Sequence, residues 1–174
     1  MNKEERELEY SKIFARYVNS CCGWNYDVGS MNVVQKDKDS PDIDVVLISS
    51  ERNTAPLFLQ VTGADRPEGP IWQDPETHKD TILFSGNEID SAIGDKSQKY
   101  KNQGKNFSKV ILIIEGALPR EEAERLCSLS RDTYKDSEFL GIYYVSYGAT
   151  YRSEKGSEHH PESVSYIKRA FKGC

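Results

Sequence analysis

Apolar positions recur along this chain in two rhythms, and the switches between them mark its elements. Over 4–20, Tyr10, Ile13, Phe14, Tyr17, Val18 and Cys21 fall on one stripe at three- and four-residue spacing. Glu4, Glu5, Lys12 and Asn19 lie opposite, so a helix is predicted that stops before Gly23. The stretch 24–35 has strand composition with a bend at Gly29-Ser30. After a polar turn, 42–48 and 57–62 read as two strands joined by the turn 49–54. Asn87 is placed to cap a helix running to about Gln103, with Glu88 and Asp90 in its first turn and Gly104 as its stop. Residues 109–114 are apolar without alternation, as in a strand buried on both faces. Pro119 opens another helix with Ala123, Leu126 and Cys127 inward. A fifth strand is predicted over 139–147. A polar, Gly-containing loop then leads to a last helix over 162–172, with Val164, Ile167 and Phe171 on one side.

Between the third strand and the second helix, 63–83 carries Gly63, Pro67, Gly69, Pro70 and Pro75 among apolar residues such as Trp72. A connection this long suits a functional loop or lid, or one that buries Trp72 as an anchor.

Composition narrows the class. At 174 residues, 37% hydrophobic and 29% charged, the chain reads as one globular domain over 1–174, long enough to bury a core. It has no apolar run of membrane-spanning length, and a charged helix starts at once, so a cytoplasmic protein with no membrane partner is expected. Cys21 and Cys22 are adjacent, while Cys127 and Cys174 lie far away in sequence. Without C-x-x-C spacing, reduced structural thiols are expected rather than a disulfide framework or zinc site. His159-His160 reads as a hydrated loop pair.

The candidate chemistry lies in Pro41-Asp42-Ile43-Asp44 and Leu57-Phe58-Leu59-Gln60-Val61-Thr62. Alternation along a strand puts Asp42 and Asp44 on one face, and Gln60 and Thr62 on one face. If the two strands pair as a hairpin, hard oxygen donors gather at one point, as Mg²⁺ requires. This pattern resembles the signature of the PD-(D/E)XK nuclease superfamily, with Thr62 where that family carries a lysine. The predicted order α-β-β-β-α-β over roughly 4–116 matches the family's core. The resemblance implies an α/β, restriction-endonuclease-like three-layer sandwich: an αβββαβ core with a mixed sheet, extended here by α-β-α at the C-terminus. It also implies hydrolysis of nucleic-acid phosphodiesters, DNA rather than RNA, at Asp42, Asp44 and Gln60 holding Mg²⁺ or Mn²⁺.

Two further positions follow from the resemblance. Members often complete the metal site with a glutamate on the first helix; periodicity selects Glu7, and the family's loose spacing also admits Glu9. For the missing lysine, Lys96 shares an inward stripe with Ile89, Ile93 and Tyr100. It either reaches the carboxylates or snorkels to water at the stripe's margin.

Net charge is −5, yet 96–109 holds five lysines and no acid, leaving −10 for the remainder. Lys99, Lys101 and Lys105 thus form either a basic strip for a nucleic-acid backbone or a solvated helix face. A homodimer or protein partner is compatible with the sequence. The alternative function is a catalytically inactive nuclease-fold module, binding or regulatory, within a larger defence or mobile-element assembly.

Overall fold

The structure, a computed structural model, describes residues 2–28, 32–33, 43–63, 87–153 and 156–174. Helix α1 (Lys3–Cys22) is followed by strands β1 (Asn32–Val33), β2 (Val45–Leu47) and β3 (Leu57–Gly63). Then come α2 (Asn87–Asn102), β4 (Val110–Gly116), α3 (Arg120–Tyr134) and β5 (Gly141–Ser146). The chain continues through β6 (Ala149–Ser153), β7 (Gly156–His160) and β8 (Ser163–Lys168). Six strands form one mixed sheet in the order β1-β2-β3-β4-β5-β8, and β6 and β7 pair separately. β3, β4 and β5 are mutually parallel, whereas β2 and β8 join antiparallel on either side. A parallel pair needs a crossover rather than a tight turn. The segments containing α2 and α3 supply it.

Local chemistry accounts for α1. The Asn2 side chain accepts from the Glu5 amide, and the Glu5 carboxylate accepts from the Asn2 amide, a reciprocal cap for two otherwise orphan donors. At the other end Gly23 takes φ 66°, which its missing Cβ permits.

Alternation across the central strands then sorts the core into two layers. Ile111 and Ile113 join Tyr10, Ile13, Phe14 and Val18 of α1 on one face. Leu112 and Ile114 join Ile93 of α2 and Leu126 of α3 on the other. The result is a mixed sheet with helices on both sides, an α/β three-layer sandwich.

Two sequence expectations are overturned. Residues 162–172 are not a helix: Ser163–Lys168 is strand β8, alternating buried and half-buried. Val164 and Ile167 do lie at helical spacing, but Ser-Val-Ser-Tyr over 163–166 alternates, and β-branched and aromatic residues favour the extended form. Pairing with β5 satisfies a ladder that a helix would leave open. The polar loop before it is the β6–β7 hairpin, so His159 and His160 sit on a strand. The C-terminal extension is therefore α-β-β-β-β, not α-β-α.

A third correction concerns the thiols. Cys174 returns to the end of α1, where its sulfur lies within 4.8 Å of those of Cys21 and Cys22, close enough for a disulfide. Chain-distant cysteines meet because β8 carries the chain back beside α1, which linear spacing does not reveal. Cys127 is buried and free, as expected. Asp42, Trp72 and nearly all of the 63–83 connection lie outside the described residues. Among the described residues no helix is long and apolar enough to cross a membrane.

Candidate metal centre

The register of β2 on β3 builds the centre. Val45 pairs with Leu59, and both enter the core beneath α1. Asp44, one residue earlier, therefore lies across from Gln60, and period-two alternation turns both toward α2. They are almost wholly buried, at 4% and 2% exposure. Asp44 Oδ2 accepts from the Val61 amide at 2.8 Å and from Gln60 Nε2 at 2.5 Å. Gln60 Nε2 also donates to the Val61 carbonyl at 3.1 Å, while Gln60 Oε1 accepts from the Tyr100 hydroxyl at 2.8 Å. Tyr100 is fixed in turn by Phe107 and Phe139, with ring centroids 5.4 and 6.0 Å away. A buried amide with four polar valences has found partners for most of them.

Charge around this knot is mixed. Burial pushes the Asp44 carboxyl up to about 6; the Val61 N–H opposes that shift, the Glu7 charge adds to it, and Lys96 and Lys3 reduce it. Glu7 is itself buried, at 5% exposure. Its Oε1 has Lys3 Nζ at 3.3 Å, yet the geometry makes no hydrogen bond. The helix thus presents Glu7, as periodicity selected. Glu9 turns away and pairs with Lys12 at 2.7 Å.

The inward stripe of α2 is also as read from spacing: Ile89, Ile93 and Tyr100 are buried and Lys96 is half-buried. Lys96 is close enough for its charge to act on Asp44. Thr62 shares the Gln60 face by alternation and brings no charge to it.

Other expected residues do not join. Lys99 and Lys101 are exposed, Lys105 is half-buried, and Lys101 lies 4.0 Å from Glu138. Of the α2 lysines, Lys96 is the one whose charge acts on Asp44, alongside Lys3 of α1. Sequence reasoning also missed the role of the Tyr100 hydroxyl. Its signal was available, since Tyr100 follows Lys96 by four residues on the same stripe. The neighbouring pair Arg6–Glu115 (3.0 Å) and the Tyr10 hydroxyl on the Gly116 carbonyl (3.1 Å) tie α1 to the carboxyl end of β4. No local pattern marks either contact.

The donor set partly fits a divalent cation. Two buried carboxylates whose charges oppose one another, one with an oxygen lacking a hydrogen bond, are stabilised by a cation that both could share. Gln60 does not fit as it stands. Its nitrogen, not its oxygen, faces Asp44, and turning the amide would give up the bonds to Asp44 and the Val61 carbonyl. Comparison with family models, with curated proteins and with solved structures found no match to this chain.

Proposed function

We propose that this protein is a divalent-cation-dependent hydrolase of nucleic-acid phosphodiesters, DNA rather than RNA, with a restriction-endonuclease-like fold of the PD-(D/E)XK type. The observation that carries the reading is buried Asp44 lying within electrostatic reach of buried Glu7 and of Lys96. The order α-β-β-β-α-β over the first six elements supports it. Glu7 and Asp44 would hold Mg²⁺ or Mn²⁺, joined by Asp42 two residues before Asp44. The cation supplies Lewis-acid activation of water and neutralises phosphate charge. Asp44 must be ionised for this role, which its carboxyl near 6 allows at neutral pH. Gln60 and Tyr100 hold the Asp44 side chain in one orientation and serve as positioning residues. Lys96 offers the positive charge that Thr62 lacks, placed to stabilise charge developing on the phosphate.

One observation favours the second reading, a non-catalytic module. The Gln60 amide is already held by Asp44, Val61 and Tyr100, with three of its four valences used without a cation. The two separate by calorimetric titration of Mn²⁺ together with cleavage of plasmid, linear duplex, single-stranded DNA and RNA. The hydrolase reading expects one bound cation and losses of about 10²-fold or more in Asp44→Ala and Lys96→Ala. Absent Mn²⁺ binding and absent cleavage of every substrate would leave the inactive module. Cleavage undiminished in both variants would remove the site assignment.

A further inference from the structure

At the carboxyl end of α1 three sulfurs from the two ends of the fold meet. The Cys21 and Cys22 sulfurs are 3.8 Å apart, and all three sulfurs lie within 4.8 Å of one another. The Cα separations from Cys174, 6.0 and 6.5 Å, both suit a disulfide. One sulfur forms one disulfide, so Cys174 has two alternative partners. We propose that Cys21, Cys22 and Cys174 form a disulfide-exchange site in which Cys174 bonds to either neighbour and the remaining cysteine stays a thiol.

The surroundings hold Cys174 in place. It is 1% exposed; its carbonyl accepts from the Tyr143 hydroxyl at 2.7 Å and its amide donates to the Phe171 carbonyl at 3.2 Å. The Tyr143 oxygen also accepts from the Ala170 amide at 2.8 Å, and Phe171 stacks edge-on against Trp24 with centroids 4.6 Å apart. Residues 170–174 are thus docked against Tyr143 of β5 and Trp24, two residues past α1, by contacts that do not involve sulfur.

Electrostatics favours a disulfide over three thiolates left without a cation. A helix carboxyl end carries partial negative charge, and α1 has no basic residue in its last turn. Three thiolates gathered there would repel one another, whereas a disulfide is neutral.

The exposures assign an order. Cys21 is exposed and Cys22 half-buried, so Cys21 meets the oxidant, a low-molecular-weight disulfide such as glutathione disulfide. The Cys21 thiolate attacks one sulfur of that disulfide, forming a mixed disulfide and releasing one thiolate. The Cys174 thiolate then attacks the Cys21 sulfur and expels the second, so two protein thiols are oxidised while one small disulfide is reduced to two thiols. Cys22 thiolate can next attack the Cys174 sulfur and displace Cys21 thiolate, an exchange with no net redox change. Either bond pins the end of α1 to the segment 170–174, far along the helix from Glu7.

The test treats the reduced full chain with glutathione disulfide and follows intact mass, then locates the bond by electron-transfer fragmentation without reduction. The expected result is loss of two hydrogens per chain, with both the 21–174 and 22–174 linkages present within about tenfold of each other. Cys21→Ser and Cys22→Ser should each retain one linkage, and Cys174→Ser should retain neither. Bonding of Cys174 to a single neighbour in every case would overturn the exchange, and so would stable glutathionylation without an internal bond. So would a reduced chain that takes up one Cd²⁺ with thiolate charge-transfer absorption and resists oxidation. The mass and fragmentation readouts on the unsubstituted chain need no variant to fold.

Discussion

Strands β3 and β4 are parallel neighbours of seven residues each, both within the core, and they treat polarity in opposite ways. Val110 to Ile114 of β4 is aliphatic throughout, and its two faces feed the two core layers. At the middle of β3 the same depth holds Gln60, paired in register with Leu112. Gln60 is 2% exposed and Leu112 wholly buried, so the two positions differ in chemistry but hardly in burial. Leu112 is held by packing, which any apolar side chain of similar volume could approach. Gln60 is held by Asp44, the Val61 carbonyl and Tyr100, which few other side chains could satisfy. A core that tolerates such a group concentrates its polar cost at one point, where chemistry becomes available.

The comparison can be broken at each strand. The largest effect is expected in β4: Leu112→Ala should destabilise by about 2–5 kcal/mol through lost transfer energy and a cavity between α2, α3 and the sheet. Denaturant melts measure it, and a cost below that of the β3 substitution would mean that packing does not dominate this layer. Gln60→Leu conserves bulk but strips partners from the Asp44 carboxylate and the Tyr100 hydroxyl; about 1–3 kcal/mol is expected. A stabilised variant would show that the polar knot is dispensable to the fold.

The smallest effect carries the sharpest pH signature. With its carboxyl raised to about 6, Asp44 keeps a proton in the folded chain that the unfolded chain has already released. Its contribution to stability therefore falls as pH rises from roughly 4 to 6, and is lowest above that window. Asp44→Asn keeps an acceptor for the Val61 amide without a buried charge. It should be more stable than the parent by about 1–2 kcal/mol at pH 7–8, the difference vanishing near pH 4. Melts across that range measure it, and a constant gap would place the effect outside the titration of Asp44.

Much of this was legible from the chain itself, for reasons particular to each element. The α1 stripe buried Tyr10, Ile13, Phe14 and Val18, left Tyr17 half-buried and Cys21 exposed, and the same periodicity separated Glu7 from Glu9. The uninterrupted apolar run became the central strand because only burial on both faces accommodates it. Lys96 and Tyr100 shared a stripe, but that the tyrosine hydroxyl would meet the Gln60 oxygen depended on how α2 settles on the sheet. The last predicted helix failed because the helical spacing of Val164 and Ile167 overlies a short alternation over 163–166 that the partner strand β5 completes.

The sequence by itself determined the order of periodic elements from α1 to β5 and the inward faces of Glu7, Asp44, Gln60 and Tyr100. Those are local consequences of 3.6-residue and two-residue repeats. Only the tertiary structure decided that Ser163–Lys168 would extend the sheet, since the partner strand supplies the hydrogen bonds. It alone turned the Gln60 nitrogen toward Asp44, and it alone brought Cys174 to Cys21 and Cys22 across a separation of 153 and 152 residues. Contacts between residues distant in the chain have no period to read.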